Sequence, residues 1–115
     1  MLSVGDIAPD FDTVDCRGER LQLSSFRGQR KVVLFFFPKA FSPACTLEVR
    51  KFRDNCPRIT QLDAELIGVS VDKAERNCRF ATEEGLQFRL IGDESRAISG
   101  LYGVVWPVLR IDRRA

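Results

Sequence analysis

The sequence predicts an α/β fold, a central mixed β-sheet with helices on both faces. Three observations carry that reading. Two short runs, 32–37 (VVLFFF) and 65–71 (ELIGVSV), have the length and the β-branched or aromatic character of buried strands. The first leads into a stretch whose apolar residues recur at helical spacing, and the second into an N-cap signal for a helix. Glycines and prolines punctuate the segments, and no repeat, linker or low-complexity stretch interrupts them.

Taken in order, residues 6–23 read as a hairpin, with Phe11 and Val14 on one side of a turn at Arg17-Gly18 and Leu21 and Leu23 on the other. Cys16 stands beside that turn, where exposure is expected. Residues 24–28 read as one helical turn closed by Gly28. The run 32–37 is expected to be the central strand, buried on both faces and stopped by Pro38. Cys45, Val49, Phe52 and Cys56 fall at i, i+4, i+7 and i+11, one stripe of an amphipathic helix. Pro57 is expected to break that helix within 55–61.

After the strand 65–71, Asp72 is the expected N-cap of a second helix, with Glu75 completing a capping box. Gly85 is the expected stop. Residues 88–91 read as a short strand, and Asp93 as the cap of a brief helix running through Leu101 to Gly103. The last strand is expected at 107–112 (PVLRID), with Leu109 and Ile111 on the face opposite Val108 and Arg110. The element order is therefore ββ, β, α, β, α, β, α, β.

Composition bounds the possibilities. The 115 residues suit one domain, 1–115, with a single core. A net charge of +2, with no basic tract carrying interleaved aromatics, argues against nucleic acid as a partner. No apolar run approaches the ~20 residues of a membrane helix. The N-terminus lacks the charged start and apolar core of a signal peptide, so the expected location is cytoplasmic. Cys16, Cys45, Cys56 and Cys78 form no CxxC and no zinc-ligand spacing, and histidine is absent. No structural metal site is expected, and no histidine base can serve within this chain.

The candidate for chemistry is Cys45, lifted off the end of a buried strand into the first turn of a helix. Only a thiolate is a good nucleophile, and the unpaired N–H groups and positive dipole end of a helix start favour it there. Ser42, three residues earlier, is within reach of the sulfur as a hydroxyl donor, and Pro43 has no N–H to leave unpaired. A free cysteine is also often a small buried hydrophobe; the strand-to-helix setting favours the reactive reading. Cys56 is three helical turns from Cys45, roughly 16 Å at ~1.5 Å per residue, and reads as core packing. Cys78 falls on a stripe with Ala74 and Ala81, so core filling competes evenly with a redox role.

The order Pro38, Ser42, Cys45 reproduces the PxxxT/SxxC motif of peroxiredoxins, and Thr46 and Glu48 extend it. VGDIAPDF, LSSFRG and LIGVSVD also resemble this family, most of all its bacterioferritin-comigratory or Q-type branch, over essentially the whole chain. The resemblance implies a thioredoxin-like fold and a thiol-dependent peroxidase that needs no cofactor. Cys45 would be the peroxidatic cysteine, becoming a sulfenic acid. Ser42 would hydrogen-bond the peroxide and the thiolate, Pro38 would shield the pocket from water, and Glu48 would help order the site. Hydrogen peroxide or an alkyl hydroperoxide is the implied substrate and thioredoxin or a similar thiol the implied reductant, in a monomer or homodimer.

Three departures from the family pattern stand out. Q-type members often carry a resolving cysteine where this chain has Arg50, and others place it near Ala81; Cys78, one turn earlier, is the candidate here. The family arginine before the last core strand is replaced by Val105-Trp106-Pro107, and Arg110, inside the strand, is not assigned its role. Trp106 reads as packing. The sequence ends at Ala115, before the further strand and helix usual in relatives, either because it is truncated or because this member is minimal. Two other readings stay open: a thioredoxin-like thiol–disulfide oxidoreductase, against which Ser42 occupies the first position of a CxxC, and a degenerate, non-catalytic binding module.

Overall fold

The computed structural model describes residues 3–104. The expected hairpin forms from β1 (Asp12–Val14) and β2 (Arg20–Gln22), antiparallel with Thr13 opposite Leu21. A short 3-10 turn (Leu23–Phe26) leads to β3 (Lys31–Phe36), α1 (Pro43–Gln61), β4 (Ala64–Ser70), α2 (Ala74–Glu84), β5 (Arg89–Gly92) and α3 (Ala97–Leu101). The strands β3, β4 and β5 pair in that order, all parallel. The predicted order thus holds through α3. The strand expected at 107–112, with Trp106 and Arg110, lies outside the described residues. Among the described residues, antiparallel pairing is confined to the hairpin.

The two-residue period of the strands splits the interior into two cores. Phe35, Leu66 and Leu90 point to one face, where Cys45, Val49 and Cys56 of α1 and Phe80 and Ala81 of α2 cover them. Ile67, Val69 and Ile91 point to the other, beneath Phe11 and Leu21 of the hairpin region and Ile98 of α3. On the first face Phe35 stacks on Phe52 with ring centroids 4.1 Å apart and meets Phe88 edge-on at 5.6 Å. Such pairs add about 0.5–1.5 kcal/mol each beyond the area they bury.

Three expectations need correction. The strand buried on both faces is β4 rather than β3: Leu66 to Ser70 are buried without interruption, whereas Val33 of β3 is 38% exposed. The reason is pairing, since β4 is hydrogen-bonded on both edges. Second, α1 does not break at Pro57 but runs through it to Gln61. An interior proline removes one backbone bond and costs ~3 kcal/mol or more. Continuing the helix keeps Cys56 buried and Ile59 packed on the stripe begun by Cys45 and Val49, which offsets that loss. Third, Asp72 does not cap α2; the N-cap is Lys73, and no side-chain cap bond forms there. Gly85 does end α2, in a left-handed conformation (φ 62°, ψ 42°) that glycine adopts without strain.

Arg50 ties α1 to α2. Its Nε and Nη2 donate to the two carboxylate oxygens of Glu84 at 2.6 and 3.2 Å. The hydrogen bond from Arg50 holds the Glu84 carboxyl below its ordinary value of 4.5. A carboxyl depressed in the folded state stabilises the fold above its unfolded value and loses that contribution as pH falls through the folded one. Glu84→Gln should therefore melt below wild type at pH 7, with the gap closing on acidification below pH 4.5. Thermal melts of the two proteins across pH 3 to 7 (about the carboxyl range) check this; a gap that does not narrow would detach the pair from stability.

Candidate active site

The site forms at the carboxyl ends of the parallel strands, where loops of an open α/β sheet converge. The loop from β3 to α1 carries Pro38 and Ser42, and α1 opens with Pro43 at its first position and Cys45 at its third. Ser42 is the N-cap, extended at φ −70° and ψ 147°, and its carbonyl accepts both the backbone N–H of Thr46 (2.9 Å) and the Thr46 hydroxyl (2.8 Å). Pro43 has no N–H, so Ala44 and Cys45 hold the donors that precede the first helical bond. The sulfur of Cys45 therefore sits at the donor end of a 19-residue helix. Cys45 is only 5% exposed, at the edge of the aromatic core that includes Phe37 and Phe80.

The neighbouring candidates are placed differently. The Ser42 hydroxyl donates its one proton to the Lys39 carbonyl (3.0 Å), leaving its lone pairs as acceptors. Pro38 is exposed, between the buried Phe37 and Ala40. Glu48 lies one turn beyond Cys45, exposed, lining a shallow cleft with Phe35, Lys51, Phe52 and Asn55. Cys78 is half-buried on α2, and its thiol neighbour is Cys16 of the hairpin turn. Cys56 is buried in the core, as expected.

What holds the Cys45 loop is a set of residues that the sequence pattern did not single out. Phe41 adopts φ +68°, a left-handed conformation that strains a bulky side chain. Such strain, of order 1–3 kcal/mol, persists only where the surroundings over-determine it. Here the Asp72 carboxylate accepts the Ala40 N–H at 2.8 Å. Arg76 pairs with the same carboxylate at 3.3 Å and donates to the Ala40 carbonyl at 3.2 Å. Its guanidinium lies 5.0 Å from the centre of the Phe41 ring, which also packs on Phe80 at 5.1 Å.

Both backbone groups of Ala40 are thus held by one Asp–Arg pair from the start of α2. The Asp72 carboxylate is fixed in turn by Ser70, whose Oγ lies 2.8 Å from it and 3.0 Å from Asn77 Oδ1, its single proton serving one at a time. Gly92 completes the support: a Cβ there would meet the Ala74 nitrogen at 2.7 Å and the Asp72 carbonyl at 2.9 Å. The available signal was an acidic residue at the carboxyl end of a buried strand with an arginine four residues on; read locally, it resembles a helix cap.

Among the described residues no group of three or more cysteine, aspartate or glutamate side chains could hold a metal ion. No described helix is long and apolar enough to cross a membrane. Asp72→Ala is expected to lower stability by about 1.5–3 kcal/mol, the scale of hydrogen bonds to a charged group. It should also speed alkylation of the buried Cys45 by iodoacetamide, because the loop is no longer held. Denaturant titration and a timed alkylation read the two effects; wild-type values in both would show that the loop does not depend on Asp72.

Comparison with known proteins places this arrangement. The sequence matches the AhpC/TSA family over residues 4–115. It is 41% identical over 103 residues to Peroxiredoxin Bcp of Escherichia coli (strain K12), covering 90% of this chain and 65% of that protein. It is 35% identical to Peroxiredoxin Bcp of Bacillus subtilis (strain 168), again over 90% of this chain and 65% of the relative. The chain therefore spans just under two thirds of the length of these relatives. Among solved structures, Peroxidoxin BcpB from Mycobacterium tuberculosis superposes with a TM-score of 0.81 at 31% identity, over 86% of this chain and 64% of that one. A yeast mitochondrial 1-Cys peroxiredoxin gives 0.83 at 30% identity, over 91% and 52%. The expected thioredoxin-like fold is the one these structures share, and the chain belongs to the AhpC/TSA family.

Proposed function

We propose that this protein is a thiol-dependent peroxidase, reducing hydrogen peroxide or an organic hydroperoxide through Cys45. The observation that carries the reading is the position of Cys45 at the donor end of α1, just after a loop whose backbone is held in a strained form at Phe41. Membership of the AhpC/TSA family, with relatives named as peroxiredoxins, supports it. The Cys45 thiolate attacks the terminal oxygen of the peroxide, the O–O bond breaks, and the departing oxygen takes a proton to leave as water or an alcohol. Cys45 is left as a sulfenic acid. The N–H groups at the helix start and the Ser42 hydroxyl stabilise the developing charge, the latter after turning from the Lys39 carbonyl. Pro38 limits water at the mouth, and Glu48 orders the flank of the helix.

A second thiol then attacks the sulfenic sulfur, forming a disulfide and releasing water. Cys78 is the internal candidate, and an external thiol such as thioredoxin reduces the product. Cys45 lies in the first turn of α1 and is buried, so reaching Cys78 requires that turn to fray, the least stable part of a helix. A cytoplasmic setting, no membrane or nucleic acid, and a monomer or homodimer complete the reading. The CxxC alternative finds no support, since Ser42 holds the position of the first cysteine.

Peroxide consumption with a thioredoxin-coupled assay tests this. Cys45→Ser should abolish turnover while keeping the fold, because serine lacks an accessible anion; activity close to wild type would remove the central residue. Ser42→Ala should slow peroxide reduction by up to about 100-fold, the scale of one donor to a developing charge. An unchanged rate constant would leave Ser42 as a turn residue only.

A further inference from the structure

Cys16 and Cys78 belong to the hairpin turn and to α2, and β5 brings them together. The backbone N–H of Cys16 donates to the Leu90 carbonyl at 2.8 Å, and the adjacent Asp15 carboxylate accepts Arg89 Nε at 2.8 Å. Arg89 also donates to the Arg20 carbonyl at 2.8 Å, so both sides of the turn are seated on the start of β5. One residue along the same strand, Asn77 Nδ2 donates to the Ile91 carbonyl at 3.1 Å, which fixes the residue next to Cys78. The hairpin and α2 are thus anchored to consecutive carbonyls of one strand. Between them the Cys78 thiol is the side-chain group that acts most on the Cys16 thiol. Cys45 and Cys56 are buried, whereas Cys16 and Cys78 are both half-buried, within reach of a partner from solvent.

We propose that Cys16 and Cys78 are a second redox pair, a dithiol that closes to an intramolecular disulfide between the hairpin and α2 by exchange with an external disulfide. Burial, and then the adjacent Cys78, push the Cys16 thiol up to about 12, so Cys16 is placed as the second, closing thiol. The Cys78 sulfur attacks one sulfur of an external disulfide RSSR, the S–S bond breaks, and one RS⁻ leaves. Cys16 then loses its proton and its sulfur attacks the Cys78 sulfur of the mixed disulfide, expelling the second RS⁻. The two thiol protons end on two RSH, the cysteine pair is oxidised by two electrons and RSSR is reduced. An external dithiol reverses the sequence. Because Cys16 and the residue next to Cys78 are anchored to adjacent residues of β5, closure within the folded protein is what the proposal requires. One consequence rests on the function proposed above: Cys78 joined to Cys16 is withheld from the sulfenic acid of Cys45.

The test equilibrates the full-length wild type and Cys45→Ser with mixtures of oxidised and reduced glutathione, traps free thiols with N-ethylmaleimide, and maps the peptides. Both proteins should lose two hydrogens and yield a peptide pair linking Cys16 to Cys78, with Cys56 alkylated. Cys16→Ser and Cys78→Ser should form no internal disulfide and carry glutathione on the remaining partner. Because the pair closes without Cys45, this outcome is independent of peroxidase activity. Absence of the Cys16–Cys78 link at every glutathione ratio in both proteins, or closure through other cysteines only, would overturn the proposal. Should Cys45→Ser fail to fold, the wild-type peptide map decides alone.

Discussion

The hydrogen bond from the Ala40 N–H to the Asp72 carboxylate is the contact on which the rest of the site depends. It joins the loop after β3 to the loop after β4, so the two carboxyl ends of a parallel pair are tied across the sheet edge where α1 begins. Without it the left-handed Phe41 would relax, and the direction in which α1 leaves the sheet would be free to change. Arg76 answers the same carboxylate and returns to the Ala40 carbonyl, so both polar groups of Ala40 are satisfied by the β4–α2 loop and the first turn of α2. A buried backbone that left either group unpaired would cost free energy comparable to a lost hydrogen bond. The local strain at Phe41 is therefore held by neighbours contributed by a distant part of the chain.

The two-core arrangement explains why such a clamp can be rigid. β4 lies between two partners and is buried almost throughout, and Ser70 at its end is a buried platform for Asp72 and Asn77. Asn77 reaches on to the Ile91 carbonyl, so one small polar network joins β4, α2 and β5 behind the loop. Buried polar networks of this kind specify geometry, because moving one member would strand the polar groups of the others. Cys45 is thus presented by a helix whose start is positioned from the side by polar contacts and from below by the aromatic core of Phe35, Phe37 and Phe80.

Much of this was legible in the sequence, and the exceptions share a cause. The hairpin, the strands β3 to β5, the stop at Gly85 and the helix carrying Cys45 follow from local periodicity and turn chemistry, whereas the all-parallel pairing of β3, β4 and β5, in place of the expected mixed sheet, does not. Asp93 is not the N-cap of α3, which is Arg96, but its carboxylate still accepts the N–H groups of Ile98 and Ser99 in the first turn. Asp72 carried the same local signature and does something else, because its carboxylate meets an amide 32 positions earlier in the chain. Pro57 misled in the same way: the local cost of proline was read correctly, while the packing of Cys56 and Ile59 that outweighs it is a tertiary term. Which strand is central depended on pairing, and the conjunction of Cys16 with Cys78 on the seating of the hairpin on β5. In each case the deciding partner lies far away in sequence.

The central claim is that this geometry makes Cys45 a fast and specific acceptor of peroxide oxygen. The measurement that tests it most directly is the reaction of the reduced wild-type protein with one equivalent of hydrogen peroxide, quenched at successive times and followed by intact mass and peptide mapping. The account predicts oxidation confined at first to Cys45, as a gain of one oxygen or a loss of two hydrogens through a disulfide, at a rate far above that of free cysteine. Oxidation no faster than free cysteine, or spread evenly over Cys16, Cys45 and Cys78, would contradict it.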